Sequence, residues 1–221
     1  MKAGFASWPG VKIFSLLTIT GLIGISLWAR TRLPDALIAT HFGPGGVTDG
    51  FMPRDEALMA GPMLAVMLTL VLWLLPYFQP KNGKVERSAR IYGVAWMLTL
   101  AVVAAAHLFI VGKALGMTAN VQGLTLLPGV LFIVLGNFLP KTRFNYIIGV
   151  RTPWTLSNER VWDRTHRLAG PVFMLTGLVM LIGAWMMPVD YQHTVILTGA
   201  LGSTLILTIA SYVFARQNRT V

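Results

Sequence analysis

The chain has 221 residues, of which 55% are apolar and only 12% are charged, and its mean hydropathy is +0.66. This composition excludes an ordinary soluble globular domain and indicates an integral membrane protein. The absence of cysteine excludes a disulfide framework and a thiolate metal site. A net charge of +10 can signal nucleic-acid binding in a soluble protein, but in a membrane chain it must first be compared with loop asymmetry across the bilayer.

Six apolar segments are long enough, or nearly so, to cross a bilayer, because a hydrocarbon core of roughly 30 Å needs about 20 helical residues. They cover residues 13–28, 57–78, 91–111, 121–139, 171–187 and 194–215. The first segment follows two lysines, but no small-residue cleavage site comes after it, so we expect a retained helix. The fifth is short, and its helix can begin in the preceding polar stretch, with Pro171 as a kink or a new first turn. The sequence therefore predicts an all-α, six-helix membrane protein.

The basic residues indicate an orientation for this bundle. If the amino terminus lies inside the cell, 14 of the 18 Lys and Arg residues fall in inside segments, and only Arg30, Arg32, Arg54 and Lys113 fall outside. The positive-inside rule then predicts that both termini are cytoplasmic. The positive charge is thus interpreted as an orientation signal within the lipid bilayer, and we expect no direct binding of nucleic acid.

The predicted outer loop between the first two spans reads LPDALIATHFGPGGVTDGF, residues 33–51. Its Gly and Pro residues predict tight turns, because Gly reaches positive φ and Pro fixes φ near about −65°. A structured loop is therefore expected. His41 and Asp49 lie on it, either as residues that stabilise a turn or as parts of a ligand or ion site.

Further ionisable residues fall on the same predicted side. His107 lies in the third span, where such a side chain normally faces a partner or a water-filled cavity, and Asp190 and His193 lie in the third outer loop. We expect His41, Asp49, His107, Asp190 and His193 to border one outer pocket. Because neutral imidazole is a common ligand for transition metals, His41, His107 and His193 are candidate zinc ligands. Alternatively, His107 bonds a neighbouring helix and the others are solvated.

The predicted inner loop after the fourth span is rich in polar and aromatic residues. Pro153 biases Thr152 away from helical backbone, and Asn158 with Glu159 is typical of a helix start. A helix over about 158–169 would bring Trp162 and His166 onto one stripe. One interpretation is an interfacial helix whose arginines, Arg160, Arg164 and Arg167, meet anionic lipid. The other is an ordered plug against the bundle, with Arg151 and Trp154 tucked toward the helix that carries Trp162.

The inner loop also resembles a known family. Residues 137–170 read N-x-x-P-K-x-R-x-N-Y-x-x-G-x-R-T-P-W-T-L-S-N-E-x-V-W-x-x-T-H-R-x-x-G, which resembles the signature of the SdpI family of bacterial membrane proteins. The outer loop, with T-H-F-G-x-x-G-x-x-D-G-F, resembles the small domain of unknown function that often precedes this signature. By this resemblance, the ligand- or partner-binding residues of the inner loop are Asn137, Lys141, Arg143, Asn145, Arg151, Thr152, Pro153, Trp154, Glu159, Trp162 and His166.

The resemblance implies a binding protein. The family prototype protects its own cell from a secreted killing peptide and holds a transcriptional repressor at the membrane. We therefore expect a bacterial cytoplasmic-membrane protein of immunity and signalling, with a secreted peptide or toxin as outer partner and a repressor as a candidate inner partner. We expect an N-terminal two-helix unit over residues 1–80 and a four-helix SdpI-like unit over 81–221, with the signature loop at 137–170.

Two other function classes stay open. A transporter should keep ionisable residues along a path through its spans, but residues 57–78, 121–135 and 171–187 contain no acidic, basic or histidine side chain. A membrane metalloenzyme would draw on the outer histidines, but the sequence lacks H-E-x-x-H, G-x-S-x-G and paired carboxylates inside a span. We therefore expect no enzymatic activity and no cofactor other than the candidate zinc ion.

Overall fold

A computed structural model describes residues 9–78, 80, 85–118 and 122–218 of the chain. These residues form helices and one antiparallel hairpin. In chain order the elements are α1 (Pro9–Arg30), β1 (Leu37–Phe42), β2 (Thr48–Pro53), α2 (Arg54–Leu74), α3 (Ala89–Ala114), α4 (Gln122–Phe138), α5 (Pro153–Ser157), α6 (Glu159–Met186) and α7 (Val189–Gln217). Short 3₁₀ turns lie at Pro44–Gly46, Leu75–Phe78, Val85–Ser88 and Leu139–Lys141.

All of these helices except the short α5 are long and apolar enough to cross a membrane, which gives six spans within the described residues. The predicted six-helix fold is therefore confirmed. Successive spans alternate in direction, so the bundle has two ends. The end that carries residues 139–158 is called the signature face here, and the end that carries β1 and β2 is called the hairpin face. That the signature face is cytoplasmic stays a prediction.

The helices pack as two groups of three. The first group, α1 to α3, shares a buried cluster that includes Leu22, Ala65 and Leu100. In the second group, α4, α6 and α7, two helices approach backbone to backbone: a Cβ on Gly177 would lie 2.6 Å from the carbonyl oxygen of Gly129. Small residues permit such close packing where lipid gives helices no hydrophobic drive to associate. This grouping places α3 with α1 and α2, whereas the predicted division at residues 80 and 81 places it with the later helices.

The helix that carries the signature tryptophan and histidine is continuous with the fifth span. α6 runs for 28 residues from Glu159 to Met186, with Pro171 inside it. Of the alternatives that the sequence left open, the helix therefore begins in the polar stretch before Pro171, and Pro171 does not open a new first turn. The helix that carries Trp162 is part of the span and not a separate interfacial helix. Proline is tolerated inside membrane helices because neighbouring groups can satisfy the freed backbone carbonyl. The stripe that contains Trp162 and His166 thus forms the first turns of a spanning helix.

The outer loop contains two strands that the sequence did not predict. β1 and β2 pair in antiparallel register, with Leu37 opposite Pro53 and Phe42 opposite Thr48. The glycine turns are confirmed, since Gly45 has a φ of 76° and Gly46 a φ of 74°, a backbone region that favours glycine. The hairpin packs one side on the bundle, where Ile38 is buried.

Candidate functional site

Trp162 and His166 form the centre of the signature face. Both are buried, and their rings stack with centroids 4.0 Å apart. The indole Nε1 of Trp162 donates a hydrogen bond of 3.0 Å to the carbonyl oxygen of Thr142, and Phe144 meets the indole edge on at 5.5 Å. The segment after α4 is thereby fastened to the first turns of α6.

The hydrogen bonds of His166 fix the protonation of its ring. The backbone N–H of Val150 donates to Nε2 at 3.0 Å, and Nδ1 lies 2.9 Å from the carbonyl oxygen of Trp162. Nε2 therefore accepts and Nδ1 carries the proton, so the imidazole is neutral. Gly149 passes directly over this ring with a φ of 123°, and a Cβ there would collide with Nε2 of His166. Only glycine fits at this position.

Asn145 organises the loop between α4 and α5. Its side-chain oxygen accepts from the backbone N–H groups of Ile147 and Ile148, each at 2.8 Å, and its amide donates to the carbonyl oxygen of Arg143 at 2.8 Å. The hydroxyl of Ser88, just before α3, in turn donates to the Arg143 carbonyl and accepts from the Arg143 N–H. The buried Asn145 side chain and Ser88 thus tie this loop to the first helix group.

Thr152 ties the same segment to α7. It is the N-cap of α5 and forms a capping box with Thr155, and its extended backbone agrees with the restriction that Pro153 imposes. The Thr152 hydroxyl also donates to Ser211 on α7 at 3.0 Å. One segment therefore contacts α3, α6 and α7. We call residues 139–158, together with Trp162 and His166, the signature clamp.

The contacts of the loop as a whole support the ordered-plug interpretation. Trp154 packs against Tyr212 of α7, with ring centroids 5.2 Å apart, while α5, which carries it, packs against both α6 and α7. Arg151 is exposed and donates to the carbonyl oxygen of Tyr146 at 3.1 Å. Gly149 and Phe144 lie directly against the indole of Trp162.

Burial divides the residues that were assigned to ligand or partner binding. Asn145, Thr152, Trp162 and His166 are buried, so they shape the clamp and offer little surface to a partner. Trp154 is half-buried. The exposed members of the set are Asn137, Lys141, Arg143, Arg151, Pro153 and Glu159. These six positions are the part of the signature that a partner can reach directly.

The three arginines in the first turns of α6 are exposed, as either interpretation of the helix required. Arg164 lies over the ring of Phe214 at 4.3 Å and donates to the side chain of Gln217 at 2.8 Å. Arg160 and Arg167 are exposed as well. The same helix therefore packs on one side and presents positive charge on the other.

On the hairpin face, His41 and Asp49 are brought together. Nδ1 of His41 lies 2.5 Å from a carboxylate oxygen of Asp49, and both side chains are largely exposed. Asp190, in the first turn of α7, abuts Gly45 at the tip of the hairpin. The hairpin therefore reaches from the first helix group to the second.

His107 belongs to a different environment. It is buried, and its Nε2 lies 2.9 Å from the hydroxyl of Ser26, which donates its own proton to the carbonyl oxygen of Leu58 at 2.7 Å. Nε2 of His107 must therefore be the donor to Ser26. Gly61 leaves the space for the imidazole, because a Cβ there would collide with the ring. This is the predicted alternative in which His107 bonds a neighbouring helix.

The single outer pocket is not assembled. His193 is exposed and contacts only the hydroxyl of its neighbour Thr194, at 3.3 Å, while His107 is locked between α1 and α2. Within the ranges that the structure describes, no three His, Asp or Glu side chains lie close enough to share a metal ion. The structure therefore does not bring the candidate zinc ligands His41, His107 and His193 together, because the three histidines face different surroundings.

Several residues of these networks were not predicted. Their side chains are small hydroxyls or amides, such as Ser26, Ser88, Ser211 and Gln192. Gln192 is buried and joins α4, α6 and α7, since it accepts from Thr125 and donates to the carbonyl oxygens of Ala184 and Met187. For Ser26 and Ser211, the sequence signal is a polar side chain within an apolar run, whereas Ser88 and Gln192 lie in polar stretches and give no such signal.

Six spanning helices, held at one end by a buried polar clamp, define a multi-pass membrane protein. The part of the chain that includes most of the clamp, residues 141–214, matches the SdpI/YfhL protein family, in agreement with the resemblance that the signature indicated. Over 89 residues the chain is 30% identical to "Immunity protein SdpI" of Bacillus subtilis (strain 168). The aligned residues make up 40% of this chain and 42% of that protein. The chain therefore spans less than half the length of this curated relative.

No solved structure matches the chain significantly. The family match begins after the hairpin, at residue 141. The resemblance of the outer loop to the small domain that precedes the signature thus stays a prediction.

Proposed function

We propose that this protein confers immunity on a bacterium against a secreted antimicrobial peptide or toxin that acts at the cytoplasmic membrane. The observation that carries the proposal is the 30% identity over 89 residues to Immunity protein SdpI, together with a family segment that includes most of the signature clamp. Such a function needs binding and no catalysis. In the predicted orientation, the hairpin face meets the peptide and the signature face meets the cytoplasm.

The two faces suit different partners. The hairpin face carries exposed apolar side chains at Leu37, Val47 and Phe51, which a hydrophobic peptide can cover. The signature face carries exposed basic residues, among them Lys141, Arg143 and others on α6, around a rigid clamp. We propose that this basic surface holds a cytoplasmic partner, with a transcriptional repressor as the candidate that the family suggests.

The immunity proposal is tested by expression in a bacterium that the secreted peptide kills. We expect cells that contain the protein to survive a dose that kills cells with an empty plasmid. The paired substitution Leu37→Ser and Phe51→Ser should remove protection while the amount of protein in the membrane is unchanged. Thr198→Ser, an exposed conservative change in α7, is the matched control. Full membrane insertion without any protection would contradict the proposal.

The signalling proposal has a separate test. A fluorescent fusion of the repressor encoded beside the gene is followed while the peptide is added. We expect it to move from the nucleoid to the membrane, and we expect Lys141→Ala with Arg143→Ala to prevent the movement without affecting survival. A repressor that never leaves the nucleoid would restrict the function to immunity.

A further inference from the structure

A cavity of about 270 Å³ opens on the hairpin face between β1, the segment that precedes it and the end of α3. Its walls are mostly apolar, and they include the consecutive β1 residues Leu37, Ile38 and Ala39. Lys113 and Ala114 close it on the α3 side. Its other principal lining residues are Leu33, Phe42 and Phe51.

β1 is an edge strand along this cavity, because the sheet has only two strands. An edge strand presents a row of N–H and C=O groups to whatever lies beside it. In the described part of the chain, the residues of β1 make no backbone hydrogen bond outside their pairing with β2, apart from the turn that closes the hairpin. The cavity therefore has main-chain donors and acceptors available along one wall.

The outward side of the hairpin is unusually apolar for a surface strand pair. Leu37 is 67% exposed and Phe51 is 58% exposed, and both line the cavity as well. Edge strands usually carry charged residues that discourage further pairing. At this edge, apolar side chains stand beside unpaired main-chain groups, a combination that suits the addition of another strand.

Lys113 supplies the one distinctive charge of the cavity wall. Arg30 and Arg54 on the same face are bonded to Asp55, and Arg32 lies over the ring of Trp28. For Lys113, no carboxylate of the described residues lies within salt-bridge distance. An anionic group on a bound molecule would complement it.

We propose that this cavity binds an extended apolar peptide segment as a third strand beside β1, with the C-terminal carboxylate of the peptide against Lys113. The inference rests on the proposed immunity function and specifies the binding mode of the peptide. Main-chain pairing supplies most of the affinity, and the apolar walls accept alternate side chains. A lipid phosphate could bind Lys113 but could not pair with the main chain of β1. Dependence of binding on the main-chain N–H groups of the ligand therefore distinguishes a peptide from a lipid.

The test uses the full chain in lipid nanodiscs of phosphatidylcholine. The probe is a synthetic peptide of alternating Val and Thr with a free C-terminal carboxylate and a fluorescent label at its N-terminus, because strand addition tolerates a generic sequence. Two matched peptides carry either N-methyl groups on alternate residues or a C-terminal amide. The protein variants are Lys113→Gln and, as a control cation on the same face outside the cavity, Arg32→Gln.

We expect fluorescence anisotropy to show binding of the probe above that of empty nanodiscs. N-methylation should abolish it, and the C-terminal amide and Lys113→Gln should each raise Kd by about tenfold, as loss of a charge-assisted hydrogen bond implies. Arg32→Gln should leave Kd unchanged. Binding no tighter than to empty nanodiscs, or binding that survives N-methylation and Lys113→Gln, would overturn the inference.

The survival assay distinguishes failure of this inference from failure of the proposed immunity function. Cells that are protected equally by the wild-type protein and by Lys113→Gln would contradict the strand-addition mode and leave the immunity function standing. Cells that neither protein protects would contradict the function itself. Displacement of the probe by phosphatidylglycerol together with insensitivity to N-methylation would identify a lipid site and overturn the peptide site.

Discussion

The two ends of the bundle use similar residues in opposite ways. On the signature face, His166 and Asn145 are buried, and each polar atom that shapes the loop has a partner inside the protein. On the hairpin face, His41 pairs with Asp49 in the open, and apolar side chains are exposed beside an unpaired strand edge. A satisfied buried network specifies one rigid arrangement. The buried residues of the distinctive sequence signature therefore hold this end of the protein in shape, whereas the less distinctive hairpin exposes apolar surface.

The largest contrast between the two ends is their position across the membrane. The chain has no cysteine, so single cysteines can be placed without background. Val47→Cys on the hairpin, where the side chain is 68% exposed, should react with a membrane-impermeant reagent in intact spheroplasts. Ser157→Cys on the signature face should react only after permeabilisation. The reverse pattern would invert the predicted orientation.

A second hairpin-face probe strengthens this assignment. Gln192 lies in the third predicted outer loop but is buried, so a cysteine there would report packing and not sidedness. Tyr191, 61% exposed, is the suitable position. Tyr191→Cys should label together with Val47→Cys.

The next contrast is in stability. Trp162→Ala removes a fully buried indole that stacks on His166, and buried Trp→Ala changes cost about 3–5 kcal/mol. We expect the free energy of unfolding in detergent to fall by that order. Phe51→Ala on the hairpin should change it little, because Phe51 is largely exposed. Equal losses in the two variants would remove the distinction between a structural and a binding face.

Two polar residues, Asn145 on the signature face and His41 on the hairpin face, allow the same comparison. Asn145→Ala leaves the N–H groups of Ile147 and Ile148 without their acceptor, and buried unsatisfied groups cost about 1–3 kcal/mol each. The unfolding temperature should drop, and amide exchange over residues 143–150 should accelerate. His41→Ala removes an exposed pair, which contributes little. A stable Asn145→Ala variant with unchanged exchange would show that the loop is held by its apolar contacts instead.

The smallest differences lie within the signature face. Trp154→Ala loses the edge contact with Tyr212, for which about 0.5–1.5 kcal/mol beyond area burial is typical. Arg151→Ala and Arg164→Ala change exposed side chains and should stay within about 0.5 kcal/mol of the wild type. Unfolding curves of the three variants measure the order. A loss in Arg151→Ala equal to that in Trp154→Ala would support the predicted placement of Arg151 against the helix that carries Trp162.

The sequence predicted the spans because length and apolarity decide whether a helix can cross a bilayer. It did not predict the hairpin. The turn residues were recognised, but the six-residue segments on either side of them show no clear alternation of apolar and polar residues. The continuity of α6 through Pro171 was left open, because tertiary packing of the preceding turns decides whether a proline breaks or bends a helix.

For the site, the family resemblance located the clamp but did not separate its buried members from its exposed ones. Asn145 and Arg151 are equally polar in sequence, yet one is enclosed by backbone partners and the other is exposed. The three histidines were likewise placed on one side by topology alone, and the structure does not bring them together. Local partners such as Ser26 and Gly61, which are far away in the sequence, determine where His107 lies.

The length of α6 determines the depth at which the clamp lies. At about 1.5 Å per residue, its 28 residues extend well beyond a hydrocarbon layer of about 30 Å. If the Met186 end stops at the opposite boundary, roughly the first eight residues stand among the lipid headgroups. Trp162 and His166 then lie outside the hydrocarbon core, at the level of the headgroups. A soluble protein can contact this part of the molecule without entering the membrane.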